Sequence, residues 1–166
     1  MQKPREQIQL FDSSDTIGSW RTVDDVVMGG VSRSRIQRVG DSLRFEGEVS
    51  LEQNGGFCSA RSDGQWDLTG ASELFWTLRG TARQFQATIR TADIPASASF
   101  RHGFTPSPDQ WQEFSFPLED FRLFRRGEKL SEEILVEPGE ILAFGILLAD
   151  KSAGPFWLEI AQMSYG

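Results

Sequence analysis

The sequence predicts an all-β fold, a sandwich of two packed antiparallel sheets with jelly-roll connections. Three observations carry that reading. Apolar residues recur at every second position in segment after segment, which is the repeat of a strand with one buried face. Clusters of Gly, Pro, Asn and Asp separate those segments at short intervals. Helical repeats are scarce and no strand-helix-strand rhythm is present, so the sheets must cover each other.

The elements follow in chain order. Leu43, Phe45, Gly47, Val49 and Leu51 alternate with Ser42, Arg44, Glu46, Glu48 and Ser50, giving the clearest strand. Cys58, between Phe57 and Ser59, sits in a further strand as a small buried hydrophobe. Leu74, Trp76 and Leu78 repeat the pattern, as do Phe85, Ala87 and Ile89, then Phe114, Phe116 and Leu118, then Phe156, Leu158 and Ile160. Ile141 to Ala149 is apolar on both faces, as in the middle of a sheet. Turns fall at Gly29-Gly30, Asn54-Gly55-Gly56, Asp63-Gly64, Pro106 to Asp109, Arg126-Gly127, Pro138-Gly139 and Gly154-Pro155. Short helical turns are expected at Pro117 to Phe121 and Ser131 to Leu135.

Length and composition bound the function. At 166 residues the chain is read as one domain over 1–166, large enough to hold a core without staples. Seventeen basic against 24 acidic residues give a net charge of −7, which disfavours binding to nucleic acid. A single cysteine, Cys58, and a single histidine, His102, exclude an intrachain disulfide and the usual zinc frameworks. Neither a secretory nor a transit segment is visible at the start, and no apolar run approaches the roughly 18 residues of a membrane helix. A cytoplasmic protein without membrane insertion is therefore expected.

Few residues invite catalysis. His102 lacks a nucleophile elbow or triad partners, and the adjacent Asp24 and Asp25 would point to opposite faces of a strand. Asp25 is instead read as a loop carboxylate that accepts backbone N–H groups near Met28-Gly29-Gly30. No metal site and no cofactor is called for. The alternation leaves Arg44, Glu46, Glu48, either Ser59 or Arg61, Thr77, Arg79, Gln84, Gln86, Thr88, Arg90, Glu113 and Ser115 facing away from the core, and these are expected to share one sheet face. With Trp111 for stacking, such a face suits hydroxyl-rich ligands or a polar segment of a partner. A merely solvated face is the alternative.

Four motifs point the same way. The run Trp20 to Ser32, the run Gly47 to Phe57 followed by Ala60-Arg61, the group Trp111, Phe116-Pro117-Leu118, Phe121 and Arg126-Gly127, and the run Gly145 to Lys151 followed by Gly154 to Ile160 together resemble the complex I intermediate-associated protein 30 family. The resemblance covers nearly the whole chain. It implies a galactose-binding-like jelly-roll β-sandwich, related in shape to carbohydrate-binding modules, and it brings no catalytic set. Mitochondrial relatives help assemble respiratory complex I; this short chain resembles a bacterial, single-domain member. The family pattern singles out Trp20, Asp25, Met28, Gly29, Gly30, Ser32, Asn54, Gly55, Gly56, Arg61, Arg90, Trp111, Arg126, Gly127, Asp150, Lys151 and Glu159.

The leading expectation is thus a non-catalytic binding module, an assembly factor that recognises a protein intermediate. Arg61, Gln86, Arg90, Trp111 and Glu113 are its candidate binding residues, while Asp25, Met28, Gly29, Gly30, Asn54, Gly55, Gly56, Arg126, Asp150 and Lys151 form loop and turn motifs. A carbohydrate-binding module using Trp111, Gln84, Gln86 and Arg90 is the alternative. A hydrolase or lyase pairing His102 with Glu113 ranks last.

Overall fold

The computed structural model describes residues 4–11, 18–130 and 133–166, and Val27 by its backbone alone. Among the described residues thirteen strands dominate: β1 (Glu6–Leu10), β2 (Trp20–Thr22), β3 (Arg33–Val39), β4 (Ser42–Val49), β5 (Cys58–Trp66), β6 (Glu73–Gly80), β7 (Phe85–Thr91), β8 (Ala98–Phe104), β9 (Gln112–Pro117), β10 (Arg122–Arg125), β11 (Glu128–Lys129), β12 (Ile141–Leu148) and β13 (Gly154–Tyr165).

They form two sheets. In the first, the order is β3-β4-β13-β6-β9, and β1 also pairs with β13, beyond the stretch that β4 occupies. The second runs β11-β10-β8-β7-β12-β5-β2. Every pairing is antiparallel. Strands adjacent in sequence are often apart in space, β12 lying between β5 and β7, which is the crossing of a jelly roll.

The inward positions of both sheets close the core. Phe45 and Phe156 of the first sheet meet edge to face at 4.9 Å, and Phe156 reaches Phe85 of the second at 6.1 Å. Farther along, Phe104 packs on Phe114 and Phe116 at 5.6 Å. Cys58, Leu74, Trp76, Leu78, Ile89, Phe100, Phe144 and Ile160 are fully enclosed. The alternating segments read from the sequence become β4, β6, β7, β9 and β13, and the doubly apolar one becomes β12.

Two expectations need correction. Between Ser131 and Leu135, Ser131 and Glu132 lie outside the described residues, and 133–135 carry no helix. Ile134 and Leu135 are exposed there, so no buried face supports one. Only Leu118–Asp120, a 3-10 turn, matches the earlier helical segment. The outward polar residues, moreover, are split between the outer faces of two sheets. Alternation tells in from out, but it does not say which layer a strand joins.

Candidate functional site

Strand register places the arginines of the second sheet. On its outer face, Arg21 of β2 stands opposite Arg61 of β5, Arg61 opposite Gly145 of β12, Gly145 opposite Thr88 of β7, Thr88 opposite Arg101 of β8, and Arg101 opposite Arg122 of β10. One cross-strand row thus carries four guanidinium groups. Arg90 stands in the next row, opposite Ala143. Gly145 is required at its position, because a Cβ would come within 2.6 Å of Thr88 Oγ1 and 2.7 Å of the Ala60 carbonyl. At Ala143 and Gly145 the strand between β5 and β7 carries only small residues, and beyond them it presents Leu147.

Beside that strand opens a depression of about 620 Å³, to which β12 contributes Ile146 and Leu147 and β7 contributes Thr88 and Arg90. Arg61, Arg90, Arg101 and Arg126 line it, together with Met28, Phe57 and Leu147, and no carboxylate is among the described lining residues. Asp63 is the nearby acid, and it lies 3.0 Å from Arg21 Nε and 3.3 Å from Arg61 Nε. The second contact is misaligned, so the buried Arg61 Nε makes no hydrogen bond. Arg90 donates to the Ala96 carbonyl, and Arg101 donates to Ser99 Oγ at 3.2 Å while its guanidinium covers the Phe124 ring at 4.8 Å. Burial and then the neighbouring Arg61 charge lower the pKa of Arg90; burial and then Arg90 lower that of Arg101. The site holds desolvated positive charge with little to balance it.

Loops set its rim. The 3-10 turn Asp25–Met28 ends at Gly29, whose φ of +87° suits glycine. Asp25 is wholly buried, and its carboxylate accepts Ser32 N–H, Ser32 Oγ–H, Gly56 N–H and Phe57 N–H at 2.9, 2.5, 2.6 and 3.2 Å. Those bonds fix Gly29-Gly30 against the Asn54-Gly55-Gly56 loop and leave Met28 69% exposed at the rim. Asp24 accepts Ser34 Oγ–H and Ser59 N–H. On the far side Arg126 and Gly127, both left-handed, turn β10 into β11. At the β12-β13 turn, Asp150 takes a bidentate pair from Arg83 at 2.7 and 2.9 Å, beside the left-handed, exposed Lys151.

The first sheet's outer face is different in kind. Glu159, with its side chain 3% exposed, accepts from Arg79 at 2.8 Å and Arg44 at 3.3 Å, and Arg44 and Arg35 both reach Glu46. Trp157 lies under Arg44 and Trp111 under Arg79. A depression of about 1000 Å³ opens here, and in contrast to the other it is lined by acids as well as bases, with Arg35 and Arg44 paired to Glu46.

Of the five candidate binding residues, Arg61, Gln86 and Arg90 share the second sheet's outer face. Gln86 lies toward a smaller hollow beside Asp150. Trp111 and Glu113 are on the opposite side of the protein, Trp111 against Arg79 and Glu113 bound to Arg5 at 2.7 Å, so the expected single face is corrected. Nor do His102 and Glu113 meet. His102 points inward onto Phe116 and Phe121 at 5.0 and 5.5 Å, whereas Glu113 points outward. Sequence reasoning misses Arg101 and Leu147. The signal for Arg101 is present, since Ala98, Phe100 and Phe104 alternate with Ser99 and Arg101.

The sequence profile described as complex I intermediate-associated protein 30 (CIA30) matches residues 9–160. The chain belongs to the CIA30 family. Among solved structures, this CIA30 member is similar to the family 11 carbohydrate-binding module of the cellulosomal cellulase Lic26A-Cel5E of Clostridium thermocellum, with a TM-score of 0.71 and 12% identity over 99% of this chain and 95% of that one. The same module, solved in complex with a β-1,3-1,4-mixed-linked tetrasaccharide, gives 0.70 and 11%, over 97% and 94%. A family 29 carbohydrate-binding module gives 0.54 and 9%, over 99% and 92%. At such identities the likeness shows the jelly-roll sandwich alone. Among the described residues of this CIA30 domain, no three His, Cys, Asp or Glu gather as metal ligands, and no helix is long and apolar enough to cross a membrane.

Proposed function

We propose that this protein is a non-catalytic binding module acting as an assembly factor, which docks a polypeptide of a respiratory or other membrane complex on the outer face of its second sheet. The observation that carries the reading is the depression with four arginines, Met28, Phe57 and Leu147 and no described carboxylate. Arginine, methionine and aromatic residues are the types enriched where proteins meet, while lysine and acids are depleted there. Family membership supports an assembly role. The two side chains with reactive chemistry are held away from this face: His102 stands among core rings, and burial, reinforced by Asp24 and Asp25, pushes the Cys58 thiol up to about 12.

Affinity capture from the native host tests the reading. Wild-type protein should retain subunits of a membrane complex, identified by mass spectrometry, and the rim variant Met28→Glu/Leu147→Glu should lose them. Equal capture by both proteins would overturn docking on this face. A second reading, saccharide binding, is favoured by the carbohydrate-binding modules that share the fold. It loses its stacking group, since Trp111 is on the other sheet. Binding to a glycan array without any subunit capture would favour it.

A further inference from the structure

The arginine row has a spacing. Neighbouring strands lie about 4.8 Å apart, so the three intervals from Arg61 to Arg101 separate their backbones by roughly 14 Å, the reach of about four residues of extended chain. The open space between these arginines is the depression itself, where β12 presents Leu147 and β7 presents Thr88. Each guanidinium offers a planar fork matched to a carboxylate. One buried donor, Arg61 Nε, has only a misaligned ion-pair contact with Asp63 at 3.3 Å and makes no hydrogen bond, so it is incompletely satisfied. Beside the arginines, exposed Met28 and half-buried Leu147 give apolar contact.

We infer that the depression takes an extended acidic segment of the partner polypeptide, with carboxylates on Arg61, Arg90 and Arg101 and apolar side chains against Met28 and Leu147. The inference rests on the docking reading above and specifies what is docked. Charge complementarity argues for it: four arginines line the depression with no carboxylate among its described lining residues, and the one ion pair that reaches them is Arg61 with Asp63, which Asp63 shares with Arg21. The mixture of methionine, leucine and arginine suits a polypeptide better than a polyuronate, which has no apolar side chains to place on the rim.

Fluorescence anisotropy with a labelled peptide of alternating glutamate and alanine, and with its glutamine counterpart, provides the test. The glutamate peptide should bind, and more weakly as sodium chloride is raised. The glutamine peptide, and the glutamate peptide on Arg90→Gln or Arg101→Gln protein, should bind about tenfold more weakly. Arg90→Lys should recover only part of the loss, since it restores charge without the fork. Thermal midpoints near that of wild type would show that the variants fold. Equal binding of the two peptides, or binding unchanged in the double variant Arg90→Gln/Arg101→Gln, would overturn the inference. So would polygalacturonate displacing the peptide at a lower carboxylate concentration than free glutamate peptide does. Should the double variant still capture membrane-complex subunits that the Met28→Glu/Leu147→Glu protein loses, the acidic preference falls and docking stands. Peptide binding as described without subunit capture leaves the acidic preference standing and removes the assembly role.

Discussion

Asp25 and Gly56 are joined by a 2.6 Å hydrogen bond from the Gly56 N–H to Asp25 Oδ2, across 31 positions of sequence. Oδ1 of the same carboxylate accepts the Ser32 N–H. One buried side chain therefore holds together the two loops beneath the Met28 rim.

Stability should fall in acid through this group. Burial alone would raise the Asp25 pKa, but the bonds from Ser32, Gly56 and Phe57 hold it below the ordinary 3.8; Asp150 is held down by Arg83 and Glu46 by Arg44. A folded value below the unfolded one means that the stabilisation is complete above the unfolded pKa and is lost as pH drops through the folded one. Urea midpoints should be flat from about pH 5 to 8 and decline below about pH 4. Asp25→Asn should lower stability at pH 7 by about 2–3 kcal/mol, because an amide N–H₂ would face N–H donors, and should flatten the acid decline.

Gly30 and Gly55 should resist substitution. A Cβ on either would come within 2.5 Å of the Asp25 carboxylate, which its own hydrogen bonds hold in place. Gly30→Ala and Gly55→Ala should each cost about 2–4 kcal/mol in chemical denaturation. Gly103→Ala, with its nearest neighbour 3.9 Å away, should stay within about 1 kcal/mol of wild type.

Charge removal should act in opposite senses on the two outer faces. Glu159→Gln leaves Arg44 and Arg79 without their shared, buried partner and should destabilise by about 2–4 kcal/mol. Arg90→Gln relieves repulsion from Arg61 and should be neutral or stabilising by up to about 1 kcal/mol while binding weakens. Thermal melts of the two variants check the contrast.

Cys58 should ignore thiol reagents in the native state. It is fully buried, with its pKa pushed up to about 12. Iodoacetamide at pH 8 should label it only as urea unfolds the protein, so labelling should track the unfolding transition. Rapid native labelling would show that the β5 region opens locally.

The strands were legible where one face is apolar and the other polar. Leu43, Phe45 and Val49 announce β4, and Phe85, Ala87 and Ile89 announce β7. By contrast β3, reading Arg33 to Val39, carries mostly polar residues on an edge and offers no such rhythm. The site was half legible. Arg61 and Arg90 face outward by simple alternation, but that they converge with Arg101 depends on β12 entering between β5 and β7, a long-range pairing that no local pattern encodes. Trp111 misleads for the same reason: its chemistry suits a sugar platform, and only the pairing of β9 with β6 assigns it to the other layer.

The row from Arg21 through Arg61 and Arg101 to Arg122 also gives the molecule an electrostatic polarity. For the acidic segment inferred above, the overall charge of −7 opposes approach in general, while this row is a local concentration of positive side chains. Encounters are thereby oriented before any contact forms, and the association rate, more than the lifetime of the complex, is where ionic strength should be felt.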